Sequence, residues 1–200
     1  MTNCCVIGLG YIGLPTSALL AEAGHSVFGF DIDRSVVELI NKGKIHIKEP
    51  RLENLVAKVT SSGSLVALNY PSKAEVYIIA VPTPFISDSN ESIPKPNVEY
   101  VLSAINSILD FLKPNDLIII ESTCPVETTL NISKIISDNI KFNVEEINIA
   151  YCPERVIPGN VIYELKNNDR VIGGINKKSA QAARDFYATF CKGSIKLTNS

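Results

Sequence analysis

The chain has 200 residues, of which 46% are hydrophobic, and its formal net charge is -2. This composition predicts one globular domain with a sizeable core, and the lack of a basic run argues against nucleic-acid binding. No apolar stretch approaches the ~18 residues that cross a bilayer, and the N-terminus lacks the regions of a signal peptide, so we expect a cytoplasmic protein without a membrane segment.

Apolar, β-prone runs alternate with helix-forming segments along the chain. Strands are predicted over residues 4–7, 26–30, 76–81, 117–122, 147–151, 171–172 and 195–197. Helices are predicted over residues 14–23, 33–41, 51–59, 97–112, 126–139 and 177–190. Two of these ranges begin at the predicted capping residues, Asp33 and Asn97. The polar, proline-containing segment up to Pro96 is expected to be a long surface loop. Because this alternation requires a parallel sheet covered on both faces, the sequence predicts an α/β fold, a doubly wound, Rossmann-like domain over residues 1–200.

The first predicted strand leads into a G-x-G-x-x-G turn, V-I-G-L-G-Y-I-G-L-P, over residues 6–15. Gly8 allows the tight turn, Gly10 lets the backbone approach a pyrophosphate, and Gly13 lets the following helix pack closely on the strand. The N-terminus of that helix would then face the phosphates. The turn therefore predicts a dinucleotide site, although the motif by itself is weak.

The end of the second predicted strand strengthens this interpretation. Asp31 lies close to the ~20-residue offset of the carboxylate that binds the ribose hydroxyls of a dinucleotide. A carboxylate there would repel a 2′-phosphate, so NAD is favoured over NADP. Arg34 is the counter-argument, because a nearby arginine can accept that phosphate, but we interpret it as a solvated residue of the first helical turn.

In a doubly wound sheet the ligand lies beyond the carboxyl ends of the strands, where polar residues of this chain recur. Thr83 sits between two prolines after the third predicted strand. Ser122 ends the next strand and Thr123 follows it, so these hydroxyls are expected on one rim. The alternative for Thr83 is a turn threonine that bonds its own backbone.

The segment Y-C-P-E-R-V-I-P-G at residues 151–159 places Glu154 and Arg155 side by side at a further strand end. Arg155 suits a carboxylate or phosphate of a substrate, and its alternative is a surface ion pair with Glu154 or Asp169. Cys152 is interpreted as a packing residue, because no obvious base lies near it in sequence.

Cysteines and histidines predict little chemistry of their own. The five cysteines, an odd number without metal-ligand spacing, indicate a reducing compartment and no metal site. Cys4 and Cys5 are expected to pack on opposite faces of the sheet. His25 and His46 are isolated in sequence and are predicted to have surface or turn roles.

Six motifs follow one another along the chain: G-L-G-Y-I-G-L-P at Gly8, F-D-I-D at Phe30, N-K-G-K-I-H-I-K-E-P at Asn41, V-P-T-P at Val81, E-S-T-C-P-V at Glu121 and C-P-E-R-V-I-P-G-N at Cys152. In this order they resemble the N-terminal, NAD-binding half of the UDP-glucose/GDP-mannose dehydrogenase family. The last motif, followed by E-L-K-N-N-D-R-V-I-G-G at Glu164, is most similar to the UDP-N-acetyl-D-mannosamine dehydrogenase branch. The UDP-glucose branch usually has an acidic residue at the position of Pro158.

The resemblance implies a UDP-sugar substrate, oxidised at C6 from alcohol to carboxylate in two NAD-dependent steps through an aldehyde and a cysteine-bound thioester. It also implies that the full-length protein forms a homo-oligomer. The residues that it assigns to NAD contact, in addition to the glycines, are Tyr11, Ile12, Asp31, Thr83 and Thr123. It assigns Arg155 and Val156 to the sugar nucleotide, and Thr123 and Glu154 to positioning water or reactants beside the chemistry.

Some features of the family pattern are missing from the sequence. The catalytic lysine and the nucleophilic cysteine of a G-x-C-x-P-K-D motif follow the region where the chain ends, as do the central helix and the UDP-binding domain. The 200 residues are therefore expected to be inactive alone. Glu127 stands where relatives commonly have glycine, and an inward-pointing carboxylate there would repel a pyrophosphate.

Three alternatives remain open at this point. The chain could be a stand-alone NAD-binding or regulatory module, or part of a UDP-glucose or UDP-N-acetylglucosamine 6-dehydrogenase. A hydroxyacid dehydrogenase that shares only the first motif is the third, and C-P-E-R-V argues against it.

Overall fold

The structure is a computed structural model that describes residues 1–86 and 94–199. Its strands are β1 (Asn3–Ile7), β2 (Ser26–Phe30), β3 (Leu65–Leu68), β4 (Val76–Ile79), β5 (Phe85–Ile86), β6 (Lys95–Pro96), β7 (Leu117–Ile120), β8 (Asn148–Tyr151), β9 (Arg170–Gly174) and β10 (Ile195–Asn199). Its α-helices are α1 (Gly13–Glu22), α2 (Arg34–Asn41), α3 (Leu52–Ser61), α4 (Glu99–Ile108), α5 (Thr128–Asn139), α6 (Val161–Asn167) and α7 (Lys177–Tyr187). Short 3₁₀ turns cover Leu109–Phe111 and Val144–Glu146.

Eight of these strands form one sheet in the order β10-β9-β8-β7-β4-β1-β2-β3. All neighbouring pairs in the sheet are parallel except β8 and β9, which are antiparallel. The chain builds outward from β1 to β3 and then returns to the other side of β1 with β4. The strand order therefore reverses between β1 and β4, and a crevice opens there beyond the carboxyl ends of the strands.

Helices cover both faces of the sheet, which explains the near-continuous apolar character of the central strands. One core lies between the sheet and α1, α2, α3, α6 and α7, and the other lies between the sheet and α4 and α5. Cys4 belongs to the first core and Cys5 to the second, so the predicted division of this pair between the two faces is confirmed. The predicted α/β, doubly wound fold is also confirmed.

The predicted cap at Asp33 is confirmed, whereas α4 begins at Glu99 with Val98 as its N-cap residue, one position after the predicted Asn97. The Asp33 carboxylate accepts from the N–H of Ser35 at 2.8 Å, and the Asn97 side-chain oxygen accepts from the N–H of Glu99 at 2.8 Å. The predicted helix over 97–112 is shorter, because α4 gives way to the 3₁₀ turn at Leu109.

Other elements differ from the prediction. Strand β3 and helix α6 were not predicted, and the last two strands of the sheet run opposite to β8. Phe85–Ile86 pairs with Lys95–Pro96, so part of the predicted loop is a small antiparallel ribbon, whereas its residues 87–93 lie outside the described ones.

Of the surface or turn roles predicted for His25, the turn role is confirmed, because its N–H donates to the carbonyl of Leu20 in the turn that ends α1, and the surface role is wrong. The side chain is buried, its Nε2 lies 2.9 Å from the Thr189 hydroxyl, and its ring contacts Phe186. Burial lowers the pKa of the imidazole, because a charged ring would lose its hydration. His46 is exposed, as predicted. In the part of the chain that the structure describes, no helix is long and apolar enough to span a membrane.

Candidate functional site

A cleft of about 600 Å³ opens at the reversal of strand order between β1 and β4. Its walls are the turn after β1, the end of β2, the segment after β4 and one side of α4. Of the residues predicted to bind a dinucleotide, the cleft is lined by Gly8, Gly10, Tyr11, Ile12 and Asp31. The structure thus brings the glycine turn and the acidic residue of the second strand to one cavity.

The glycines of the turn serve different purposes. Gly8 has φ of +92°, and a Cβ atom there would lie 2.7 Å from the carbonyl oxygen of Ala80. A Cβ atom on Gly13 would overlap the carbonyl oxygen of Gly8, so close packing of α1 requires that glycine. A Cβ atom on Gly10 would meet no protein atom within 4 Å. The protein does not itself require glycine at position 10, whereas a ligand approaching the turn would.

Asp31 connects two walls of the cleft. Its Oδ2 accepts from the N–H of Leu9 at 2.9 Å, and its Oδ1 accepts from the N–H of Asp33 at 2.9 Å. An ionised carboxylate has about four acceptor positions, so each oxygen retains one for a further donor. The side chain is thereby fixed in place and can still accept from a pair of hydroxyl groups. Arg34 is exposed at the first position of α2 and does not line the cleft.

The predicted hydroxyl-bearing residues lie beside the cleft rather than in its lining. Thr83 is half-buried and Thr123 is exposed, each in the segment that follows its strand. The Ser122 hydroxyl donates to the carbonyl of Val81 at 2.8 Å, so it joins the ends of β4 and β7. Ser122 therefore acts in the scaffold of this rim.

Glu154 lies in a buried ion pair that the sequence did not indicate. Its Oε2 accepts from Nη1 of Arg170 at 2.8 Å, and the two side chains are 7% and 5% exposed. Its Oε1 accepts from the N–H of Arg155 at 2.8 Å. Arg170 also donates to the carbonyl of Leu165 and lies over the ring of Tyr187, 4.5 Å from its centre. Burial works against its charge, but Tyr187, Glu154, Glu121 and Cys152 together raise the pKa of Arg170 above its ordinary value.

A second buried carboxylate faces the same arginine. Glu121 follows β7, and its Oε1 accepts from the Tyr187 hydroxyl at 2.6 Å. Its Oε2 lies 3.3 Å from the hydroxyl of Thr16, in the first turn of α1. Burial raises the pKa of Glu121 to about 7, while Arg170 opposes this rise and Glu154 adds to it. These contacts link the helix after the glycine turn to Glu154 through buried polar groups.

Arg155 and Val156 follow Glu154 on the loop after β8. Arg155 is exposed, and its Nη2 donates to the main-chain carbonyl of Asp169 at 3.0 Å. Glu154 forms its ion pair with Arg170 instead, so the predicted alternative of a surface ion pair between Arg155 and Glu154 is wrong. Val156 is half-buried against the first core. Cys152 is buried, and burial raises the pKa of its thiol to about 11, which agrees with the predicted packing role.

Sequence reasoning missed Arg170, Glu121, Tyr187 and Glu49 as residues that organise this rim. Glu49 is buried, and its carboxylate accepts from the N–H groups of Gly159 and Val161, each at 2.8 Å. The available signal for Glu121 was an acidic residue directly after an apolar strand. Glu49 and Arg170 lie within motifs that carry the family resemblance, but the motifs do not indicate their roles, because their partners are distant in sequence.

The cleft suits a dinucleotide in shape and chemistry. Open space at Gly10, free acceptor positions on Asp31 and the start of α1 meet at one end. Ile32 and Tyr100 are exposed in the lining and offer apolar surface for an aromatic ring. The residues present therefore fit NAD, with the glycine turn and Asp31 as the groups that would hold it.

Comparisons with known proteins agree with this geometry. A model of the NAD binding domain of the UDP-glucose/GDP-mannose dehydrogenase family matches residues 2–191. The UDP-N-acetyl-D-mannosamine dehydrogenase of Methanococcus aeolicus is 51% identical over 98% of this chain and 44% of its own length. That of Campylobacter jejuni is 47% identical over 98% of this chain and 49% of its own.

A solved structure is also similar to the chain along almost its whole length. The UDP-N-acetyl-mannosamine dehydrogenase of S. aureus superposes with a TM-score of 0.93 at 40% identity, over 99% of this chain and 47% of the other. The chain spans about half the length of the curated relatives it matches.

Proposed function

Because this chain belongs to the UDP-glucose/GDP-mannose dehydrogenase family, and NAD is the cofactor of the domain that it matches, we propose that it is the NAD-binding part of a UDP-sugar 6-dehydrogenase. The proposed substrate is UDP-N-acetyl-D-mannosamine, and the product is the corresponding uronate. The names of the relatives at 51% and 47% identity support this substrate. We further propose that residues 1–200 are the NAD-binding domain of a longer, cytoplasmic homo-oligomer.

The observation that carries the cofactor site is the contrast among the glycines. Gly8 and Gly13 are required by the fold, whereas only a ligand explains glycine at position 10. The free acceptor positions of Asp31 would receive the two ribose hydroxyls, while Tyr11 and Ile12 would contact the dinucleotide from the turn. Thr83 and Thr123 would approach its nicotinamide end from the adjacent strand ends.

When bound, NAD accepts hydride from the sugar carbon, and two such oxidations with one water convert the alcohol to the carboxylate. In this scheme Arg155 and Val156 bind the sugar nucleotide. Thr123 and Glu154 orient water or reactants. Arg170 supports the role of Glu154, because it holds the Glu154 carboxylate in one orientation.

Calorimetric titration with NAD and NADP tests the cofactor site. We expect NAD to bind more tightly than NADP, and Asp31→Ala to weaken NAD binding by about tenfold, because it removes the acceptors for two hydroxyls. Asp138→Ala, which removes an exposed carboxylate on α5, is the matched control and should bind NAD like the unaltered chain. Equal NAD affinity in the Asp31 variant would contradict the ribose assignment.

A second experiment concerns catalysis. The sequence holds no G-x-C-x-P-K-D motif, so incubation of the 200 residues with NAD and UDP-N-acetylmannosamine should give no sustained NADH absorbance. Steady turnover would show that the residues needed for the chemistry lie within this chain. Tight NAD binding in a protein whose reading frame encodes no such motif would favour the stand-alone module.

A further inference from the structure

The loop after β8 is held by carboxylates along its length. We call residues 152–161 the recognition loop, since it carries Arg155 and Val156. The N–H groups of four of its residues each donate to a glutamate oxygen at 2.8 to 2.9 Å. These donors are Arg155 to Glu154, Ile157 to Glu164, and Gly159 and Val161 to Glu49.

Glu49 differs from the other two glutamates, because it comes from a distant part of the chain. Glu154 and Glu164 lie within or next to the loop, whereas 110 positions separate Glu49 from Gly159. The Glu49 side chain is buried, and its two oxygens bind two different amides. A charged acceptor roughly doubles the strength of such a bond, and a buried amide without its acceptor is costly.

We call the two hydrogen bonds that Glu49 accepts from Gly159 and Val161 the clamp from Glu49. It leaves the outer side of the loop free for a ligand. Arg155 is exposed and Ile157 is 68% exposed, while their main-chain N–H groups are already bonded. A loop whose backbone is satisfied in this way does not have to be ordered when a ligand arrives, so less binding free energy is lost.

We propose that Glu49 is a positioning residue for nucleotide-sugar recognition: through the N–H groups of Gly159 and Val161, it holds the recognition loop in the shape that presents Arg155 to the sugar nucleotide. This inference rests on the proposed function, and it adds a residue from the segment between α2 and α3 to the substrate side of the site. The proposed role concerns binding of the nucleotide sugar and not binding of NAD, because Glu49 does not line the dinucleotide cleft.

The test uses Glu49→Gln, in which one acceptor oxygen becomes an NH₂ group facing an amide N–H. Glu53→Gln is the matched control, since Glu53 is exposed on α3 and loses the same charge. Hydrogen exchange of the loop amides, NAD affinity and NMR shifts on titration with millimolar UDP-N-acetylmannosamine are measured on all three proteins. We expect exchange at Gly159 and Val161 to be about tenfold faster in Glu49→Gln. Nucleotide-sugar binding should weaken about fivefold or more, with NAD affinity unchanged.

Each result has a separate meaning. If exchange and nucleotide-sugar affinity in Glu49→Gln equal those of the Glu53→Gln control, the positioning role is refuted. A parallel loss of NAD and nucleotide-sugar affinity would also refute it, because it would indicate general destabilisation. If the unaltered chain binds NAD but the nucleotide sugar shifts no amide of residues 155–157, the proposed function of the loop fails, and this inference fails with it.

Discussion

Replacing Glu121 by glutamine should remove a pH dependence of stability that the buried carboxyl creates. Burial raises its pKa from an ordinary 4.5 to about 7 in the folded protein. Between these values the unfolded chain has released the proton and the folded protein keeps it. The unfolded state therefore binds fewer protons, and the free energy of unfolding falls as pH rises through this window.

The magnitude follows from the two pKa values. At ~1.36 kcal/mol for each pKa unit, a rise from 4.5 to about 7 corresponds to a loss of about 3 kcal/mol between pH 4.5 and pH 7. Glutamine resembles the protonated acid: its oxygen can accept from Tyr187 and its NH₂ group can donate to Thr16. We therefore expect equal stability near pH 4.5 and an advantage of about 3 kcal/mol for Glu121→Gln above pH 7.

Urea unfolding at half-unit intervals from pH 4.5 to 7.5 measures the difference between variant and parent. His25 and Asp116 also have shifted pKa values, but both proteins contain them, so their contributions cancel in the difference. Glu38→Gln, on the exposed side of α2, is the control and should give a flat difference. Parallel stability curves for Glu121→Gln and the parent would refute the reasoning.

Three further predictions concern residues in and beside the site. Gly13→Ala should lower the free energy of unfolding by about 3 kcal/mol, because the new methyl group would overlap the Gly8 carbonyl oxygen. Gly10→Ala should change it by less than about 0.5 kcal/mol yet weaken NAD binding about tenfold, and unchanged NAD binding would count against the cofactor pose. Arg170→Met should cost about 3 to 5 kcal/mol by leaving Glu154 buried without its partner, and Arg170→Met/Glu154→Gln should recover most of this in urea unfolding. No recovery in the double variant would mean that the arginine stabilises the fold through its other contacts.

The central strands of the sheet were predictable from local patterns. Runs such as residues 76–79 and 117–120 are apolar throughout, as strands buried on both faces must be. β3 is harder to recognise, because it lies at the edge of the sheet and only alternate residues in it are buried. Helix α6 is short, and its start is held by the distant Glu49. Its residues alone carry too weak a helical pattern to predict it.

Local sequence also does not determine some backbone conformations or the contact partners of some buried side chains. Glu127 has φ of +72°, a left-handed conformation that favours glycine and that the sequence by itself does not indicate. Its side chain is exposed. The position of His25 after a turn glycine predicts a surface or turn role. In the structure its ring contacts Thr189 and Phe186, which lie at a helix end more than 160 positions away.

The cofactor end of the site was determined by the sequence, because its parts are local. A strand, a glycine turn, a helix and the next strand with its acidic end follow one another within about 30 residues, so their spacing alone predicts their geometry. The ion pair of Glu154 with Arg170, the burial of Glu121 and the clamp from Glu49 depend on which strands and loops become neighbours. Strand order and the reversal at β9 decide this, and a buried charge is stable only where that arrangement brings it a partner.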